Sequence, residues 1–320
     1  GHDSHGVGML AAYMDSVLSG ELVPNQHATI AQDNGAVVVI DGNAGYGQVI
    51  GVEAMNIGIE RARTHGVCVL AIRGSYHLCR IGAWGEQCAA AGLVSMHHVN
   101  GYGHRSLVTP FRGTEPRYMT NPYCCTLPPT DDNPAIVADF ATSVIAMGKI
   151  RVAKNKGEQL PDGIIFNAAG EPSNDPNAMY DEPTGAIRPV GGHKGYCMAL
   201  INELVAGALT GGDTCRPQTR HKTYTILNNM LSIIIDPAKL AGVEQFAQGL
   251  DVAVAHVRSA RAENPEQPVL MPGEPERQIM AQRTADGIPI DDESWRALVG
   301  AAVSVGLPAS RVEELAGTQG

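Results

Sequence analysis

Positive charge is scarce in this sequence. Lys and Arg number 23 against 33 Asp and Glu, a net charge of −10. No basic tract stands out and aromatics make up only 5%, which argues against nucleic acid as a partner. An anionic ligand would need locally placed donors to overcome the overall field. No apolar run approaches the ~18 residues of a membrane-spanning helix, so no membrane association is expected. The seven cysteines are odd in number and contain no CxxC pair. That pattern argues against a disulfide framework and a zinc site, and fits a reducing cytoplasm. HExxH, GxSxG and GxxxxGK[ST] are all missing. A catalytic metal, a serine hydrolase of the usual elbow type and a P-loop therefore find no support.

What is present is enough apolar matter, 44% of 320 residues, for a core spread over two or three subdomains. Residues 36–40, 67–72 and 93–99 read as strands, and 48–63 and 81–91 as helices ended by Gly66 and Gly92. By itself this β-α-β-α-β order suggests half of a dinucleotide-binding sheet. The stretch 101–189 is rich in Pro, Gly, Asn and Asp and reads as short strands, such as 123–127 and 135–139, joined by long loops. Helix returns at 195–209, a buried-type strand at 231–236, and helices near 243–258, 293–305 and 310–316.

Asp3-Ser4-His5-Gly6-Val7 precedes a helical stripe formed by Val7, Leu10, Met14, Val17 and Leu18. Ser4 is the expected N-cap and His5 is expected in the first turn, where the helix dipole would favour the neutral ring. A neutral, exposed histidine suits proton exchange near pH 7, whereas the bland alternative is a cap beside a solvated ring. Between Asp41 and Gly47 the glycine spacing is GxxGxG rather than GxGxxG, and no acidic strand end appears about twenty residues later. A glycine-rich turn is the better reading there. The loop carrying His77 and Arg80 sits between a strand and a helix, where α/β proteins bind anions. Gly191-Gly192-His193-Lys194 opens an apolar helix and could hold a pyrophosphate. His97 and His98 are adjacent on a strand and must face opposite ways. Asp139 to Ser143 ends a strand and can cap the next segment of the chain.

Taken in order, these segments resemble the malate/L-lactate dehydrogenase family, which also holds ureidoglycolate, sulfolactate and diketogulonate oxidoreductases. The resemblance rests on Asp3-Ser4-His5-Gly6-Val7, Asp41-Gly42 with Gly47-Gln48, His77 in its loop, Thr120-Asn121-Pro122, Asp139-Phe140-Ala141-Thr142-Ser143, Gly148-Lys149, His193-Lys194-Gly195-Tyr196 and Pro272-Gly273-Glu274. Gly1 to Gly6 and Arg80-Ile81-Gly82 look like its bacterial hydroxycarboxylate dehydrogenase branch. In that family a helical segment precedes the first motif, so residues are expected ahead of Gly1.

The resemblance implies a mixed α/β, non-Rossmann cofactor domain with a mainly antiparallel sheet flanked by helices, plus smaller helical and α/β subdomains. The expected division is 1–28 with 275–320 helical, 29–93 a small α/β unit, and 94–274 the cofactor-binding unit. It implies NAD (with NADP the alternative), a small 2-hydroxy or 2-oxo acid as substrate, and a homodimer with the site near the interface. His5 would exchange the proton with Ser4 as its partner. His77 matches a position of acid/base work or of cofactor contact. Leu78, Cys79, Arg80, Ile81, Asn100, Asp139, Phe140, Ala141, His193, Lys194, Pro272, Gly273 and Glu274 match cofactor contacts, and Thr120 matches a substrate contact.

Two positions depart from the family. Met9 stands where many members carry a carboxylate-binding arginine, which leaves Arg80, Arg105 and Arg151 as candidates for that task. Lys149 stands where some cyclic-imine reductases carry Asp, and it is kept as a substrate-side candidate. An imine or ureidoglycolate-type oxidoreductase on the same scaffold is the alternative enzyme. A nucleotide-binding regulatory protein is the non-enzymatic one.

Overall fold

The computed structural model describes residues 5–221 and 225–316. Among the described residues ten strands run in chain order: β1 (Thr29–Asn34), β2 (Val37–Asp41), β3 (Val67–Tyr76), β4 (Val94–Tyr102), β5 (Tyr123–Leu127), β6 (Ile136–Phe140), β7 (Ile165–Phe166), β8 (Pro172–Ser173), β9 (Ala186–Ile187) and β10 (Leu227–Ile235). The helices are α1 (Leu10–Leu18), α2 (Gly47–His65), α3 (Gly82–Ala90), α4 (Met147–Lys156), α5 (His193–Asn202), α6 (Val243–Arg258), α7 (Glu274–Asp286), α8 (Asp292–Ser304) and α9 (Ala309–Ala316). No helix among the described residues is long and apolar enough to cross a membrane.

Seven strands form one sheet in the order β1-β2-β3-β10-β4-β5-β6, and β7 to β9 form a small second sheet. Only β2 and β3, joined through α2, are parallel; the other five pairings of the large sheet are antiparallel. β3 and β4 are therefore not neighbours, because β10 inserts between them and pairs antiparallel with both. The β-α-β-α-β order of the sequence is correct as a list of elements. Its suggestion of a continuous parallel sheet is overturned by a strand more than a hundred residues downstream. The sheet also runs without a break across position 93, and α8 packs on α1.

Local chemistry explains the elements. α2 turns Ile50, Ala54, Met55, Ile59 and Ala62 toward the sheet and stops at Gly66, whose φ of 85° makes it a left-handed C-cap. The main core is this face plus Val38, Ile40, Leu70, Ile72, Trp84, Met230 and Ile234. A second core of Val108, Tyr118, Ile150, Ile165, Met179, Ile187 and Ala199 lies among α4, α5 and the small sheet. A third, aromatic cluster of Tyr13, Tyr76, Tyr102, Leu22 and Leu227 joins α1 to the ends of β3, β4 and β10.

Three further expectations need correction. The stretch read as loops holds α4, which buries only Ile150 and Ala153 and carries Lys149, Arg151, Lys154, Asn155 and Lys156. The helix expected at 195–209 starts earlier, at His193, and passes into a π-helical turn at Glu203–Ala208. β10 begins at Leu227, four residues before the expected start at 231, because Asn228 and Asn229 disguise its first half.

The 41–47 segment is a structural turn with a positioning task. A Cβ on Gly42 would meet the Ser75 Cα at 2.6 Å, and one on Gly47 would meet the His77 carbonyl oxygen at 2.2 Å. The loop before α2 is thus pressed against the backbone of the His77 segment. Gly47→Ala is expected to destabilise the protein by about 1–3 kcal/mol through this overpacking. Thermal unfolding checks it, and an unchanged midpoint would contradict the contact.

Candidate active site around His5 and His77

His77 succeeds the last residue of β3, where the strand has been bent by a bulge. Asn228 pairs with Ser75 and Met230 with Ile72, so Arg73 and Gly74 together oppose Asn229. Gly74 takes up the extra residue at φ 61°. The side chains of β10 then replace backbone partners. The Gly74 N–H donates to Asn229 Oδ1 at 2.9 Å and the Leu78 N–H to Asn228 Oδ1 at 2.8 Å. The Trp84 indole N–H donates to the Leu78 carbonyl at 3.1 Å. His77 is thereby fixed by anchors on both sides.

His77 is buried, and its Nδ1 lies 2.8 Å from the Tyr13 hydroxyl. The His5 ring is its neighbour, with centroids 5.5 Å apart. Burial, aided by the charge of His5, pushes the His77 pKa down to about 3, so the ring is neutral across the physiological range. His5 does not lie in the first turn of α1. Gly6, with φ −99° and ψ −143°, breaks the chain before a 3-10 turn at Val7–Met9, and α1 itself starts at Leu10 with Met9 as N-cap. The dipole argument for His5 therefore fails; its surroundings are the His77 ring and Cys79, whose thiol donates to the His5 carbonyl at 3.3 Å. Ser4 lies outside the described residues.

Other expected site residues fall into separate groups. Arg80 pairs with Glu86 and lies near Asp139. The Asp139 carboxylate accepts the Gly82 N–H at 2.7 Å, so this β6 side chain caps α3 from a distance and Ile81 is the buried N-cap residue. That helix end is already satisfied by protein. Phe140 is exposed at the end of β6 beside Ala141, its ring 5.8 Å from that of Tyr123. Pro272 accepts the Val137 N–H of β6 at 3.1 Å. Gly273, at φ 91°, starts α7, and Glu274 accepts the Met271 N–H and pairs with Arg258. Thr120 offers its carbonyl to both the N–H and the hydroxyl of Thr142. Lys149 is exposed on α4. Of the arginines considered for a carboxylate, Arg105 donates to Thr184 and to the Met179 carbonyl, a structural role, and Arg151 lies exposed on α4.

His193 and Lys194 are exposed at the start of α5. Gly191 and Gly192 precede them at φ 57° and 62°, and no side chain caps the helix. This leaves an open, positively polarised helix end, the arrangement that suits a pyrophosphate.

Asn100 belongs to a buried polar network that sequence reasoning missed. Its side-chain oxygen accepts from Asn229, and its amide donates to Glu203 and to the Asp213 carbonyl. Glu203 also accepts from Asn121 at 2.7 Å and from the Cys215 N–H at 2.5 Å. Burial pushes the Glu203 pKa up, while these donors work against that rise. The residue sits at the first position of the π-helical turn, a distortion that often accompanies a functional site. One glutamate inside an apolar helix was the available signal. His97 is a core histidine: its two ring nitrogens lie 2.8 and 2.9 Å from Ser232 and Ser95, while His98 faces Asn202 on the other side of the sheet.

Comparison with known proteins identifies the class to which this fold belongs. The family model for malate/L-lactate dehydrogenase matches residues 1–299. The chain is 42% identical over 309 residues to hydroxycarboxylate dehydrogenase B of Escherichia coli O157:H7, covering 96% of this chain and 84% of that protein. It is 36% identical to an L-lactate dehydrogenase of Cupriavidus necator, covering 93% and 85%. The solved structure of a putative malate/lactate dehydrogenase from E. coli superposes with a TM-score of 0.94 at 39% identity, over 99% of this chain and 87% of the other. The chain belongs to the malate/L-lactate dehydrogenase family.

The buried polar groups make two stability outcomes testable. Glu203→Leu removes the acceptor of three buried donors, each costing about 1–3 kcal/mol when left unpaired. Denaturant unfolding should show a loss larger than that of Glu203→Gln, which keeps one acceptor. His77 and His97 both have pKa values near 3 when folded, against 6.5 for an ordinary histidine. Between those pH values the unfolded chain binds protons that the folded sites refuse. Stability should therefore fall as pH drops below 6.5, by up to about 1.4 kcal/mol per pH unit for each group. Unfolding midpoints measured against pH test this, and a flat profile between pH 6.5 and 4 would contradict it.

Proposed function

We propose that the protein is an NAD(P)-dependent oxidoreductase that interconverts a small 2-hydroxy acid and its 2-oxo acid, with NAD as the first cofactor to test. The observation that carries this reading is the pair of imidazoles, His5 beside a buried and neutral His77, at the end of a strand held by side-chain amides. Membership of the malate/L-lactate dehydrogenase family supports it.

The open N-terminus of α5 fits an anionic cofactor, with Gly192, His193 and Lys194 as the residues that would hold its pyrophosphate. A nicotinamide supplies or accepts the hydride when bound. The protein's own part is orientation and proton handling. His5, at the surface side of the pair, exchanges the hydroxyl proton of the substrate. His77, unable to ionise near neutral pH, serves as an N–H donor to an oxygen. Thr120 and Lys149 are proposed on the substrate side. The active form is proposed to be a homodimer with the site near the interface.

The test is oxidation of NADH and of NADPH with a panel of 2-oxo acids, a cyclic imine included. Turnover of a small 2-oxo acid supports the reading, and turnover of the imine alone overturns it. His5→Ala should lower kcat by ~10²–10⁴-fold, the usual worth of a placed proton carrier. Cofactor affinity, measured by NADH fluorescence, should stay within a few-fold of the parent protein.

A further inference from the structure

A chain of polar groups behind His77 has no part in the hydride and proton transfers themselves. Tyr13 projects from α1 and is almost fully buried. Its ring packs edge-on against Tyr76, centroids 5.4 Å apart, and Tyr76 in turn donates to Ser16 of α1 at 2.7 Å. The phenol oxygen of Tyr13 therefore has a fixed place. Gln48, in the first turn of α2, donates its side-chain N–H to that oxygen at 3.2 Å and to the Cys79 sulfur at 3.3 Å. Gln48 is itself fixed, because its neighbour Gly47 abuts the His77 carbonyl.

The acceptors on offer determine the proton pattern. The phenol oxygen accepts from Gln48, so its own proton must go to another atom. His77 Nδ1 lies 2.8 Å away and the Cys79 sulfur 3.4 Å away. An imidazole nitrogen at the shorter distance is the better acceptor. The Cys79 thiol gives its own proton to the His5 carbonyl. Burial, reinforced by the neighbouring Cys79, holds the Tyr13 phenol in its protonated form. A neutral imidazole that accepts at Nδ1 must carry its proton on Nε2.

We propose that Gln48 and Tyr13 are positioning residues that lock His77 in the Nε2–H tautomer, so that His77 donates a hydrogen bond and does not carry the proton, which is left to His5. The functional consequence rests on the oxidoreductase reading above; the tautomer itself does not. A neutral imidazole held as an N–H donor is a known way to polarise a carbonyl oxygen without a change of charge. Cys79 closes the cluster at φ 60°, a left-handed position for a residue that bears a Cβ, and this turns its sulfur toward Tyr13, Gln48 and the His5 carbonyl.

The experiment is a long-range proton–nitrogen correlation spectrum of the full chain labelled with ¹⁵N-histidine, at neutral pH, with His77 assigned by its loss in His77→Asn. The expected result is one neutral tautomer with the proton on Nε2. In Tyr13→Phe the lock is removed: the two tautomers mix, and kcat falls roughly tenfold, the worth of one hydrogen bond, with the cofactor KM unchanged. Gln48→Leu should shift the tautomer ratio in the same direction by less. If Tyr13→Phe fails to fold, the wild-type spectrum and Gln48→Leu still decide. An Nδ1–H tautomer in the wild type overturns the proposal, for it means that the Gln48 amide and the phenol both point the other way. A tautomer that neither substitution changes overturns it equally. Because the spectrum is read without turnover, either result leaves the 2-hydroxy acid reading to be judged by its own assay.

Discussion

Two adjacent asparagines on the central strand, Asn228 and Asn229, hold the segment on which the site depends. At the bulge in β3 the backbone ladder to β10 is interrupted, and buried N–H groups left there would each cost about 1–3 kcal/mol. The two side-chain amides replace the missing carbonyls at Gly74 and Leu78. Their other ends reach Asn100 and the Asp213 carbonyl, which ties the His77 segment to β4 and to the network around Glu203. A site built in this way has its first residue fixed by supporting hydrogen bonds rather than by loop packing.

Close backbone contact supplies the second constraint. Gly42 and Gly47 let the loop before α2 press on β3 and on His77 itself, and Gly212 lies where a Cβ would come within 2.3 Å of the Asn229 side-chain oxygen. Glycine at these places permits approach rather than flexibility. The same compression brings α1 and α2 together over His77, so that Tyr13, Gln48 and Cys79 surround it. The exposed N-terminus of α5 is built differently. Gly191 and Gly192 open it to solvent, and no side chain among the described residues caps it, in contrast to α3, whose first N–H is taken by Asp139.

Much of this was legible in the sequence, and the failures have physical causes. α2, α6 and α8 appear within two residues of where the sequence places them, whereas β3 starts at the expected Val67 but runs four residues past the expected end, through its bulge to Tyr76. His5 and His77 were visible as motif residues, and the structure puts them side by side. The position of His5 ahead of the helix was not visible, because the apolar stripe continues through a 3-10 turn that a period of 3.6 does not distinguish. Sheet order was hidden as well, since pairing between β3 and β10 is a long-range choice that local pattern does not encode. Asn228 and Asn229 were lost for a sharper reason. Asparagine disfavours strands, so the residues that anchor the site fell outside the strand read at 231–236. Glu203 and Tyr13 were not singled out in the sequence, and only burial and their partners reveal them as hydrogen-bonding centres.

The most direct test of this account is amide hydrogen exchange at Gly74 and Leu78. If side-chain acceptors on β10 anchor the His77 segment, both amides should exchange as slowly as those of the central strand, near the limit set by global unfolding. Exchange at these two positions at the rate of an exposed loop would mean that the segment opens independently of the sheet, and would contradict a preorganised site.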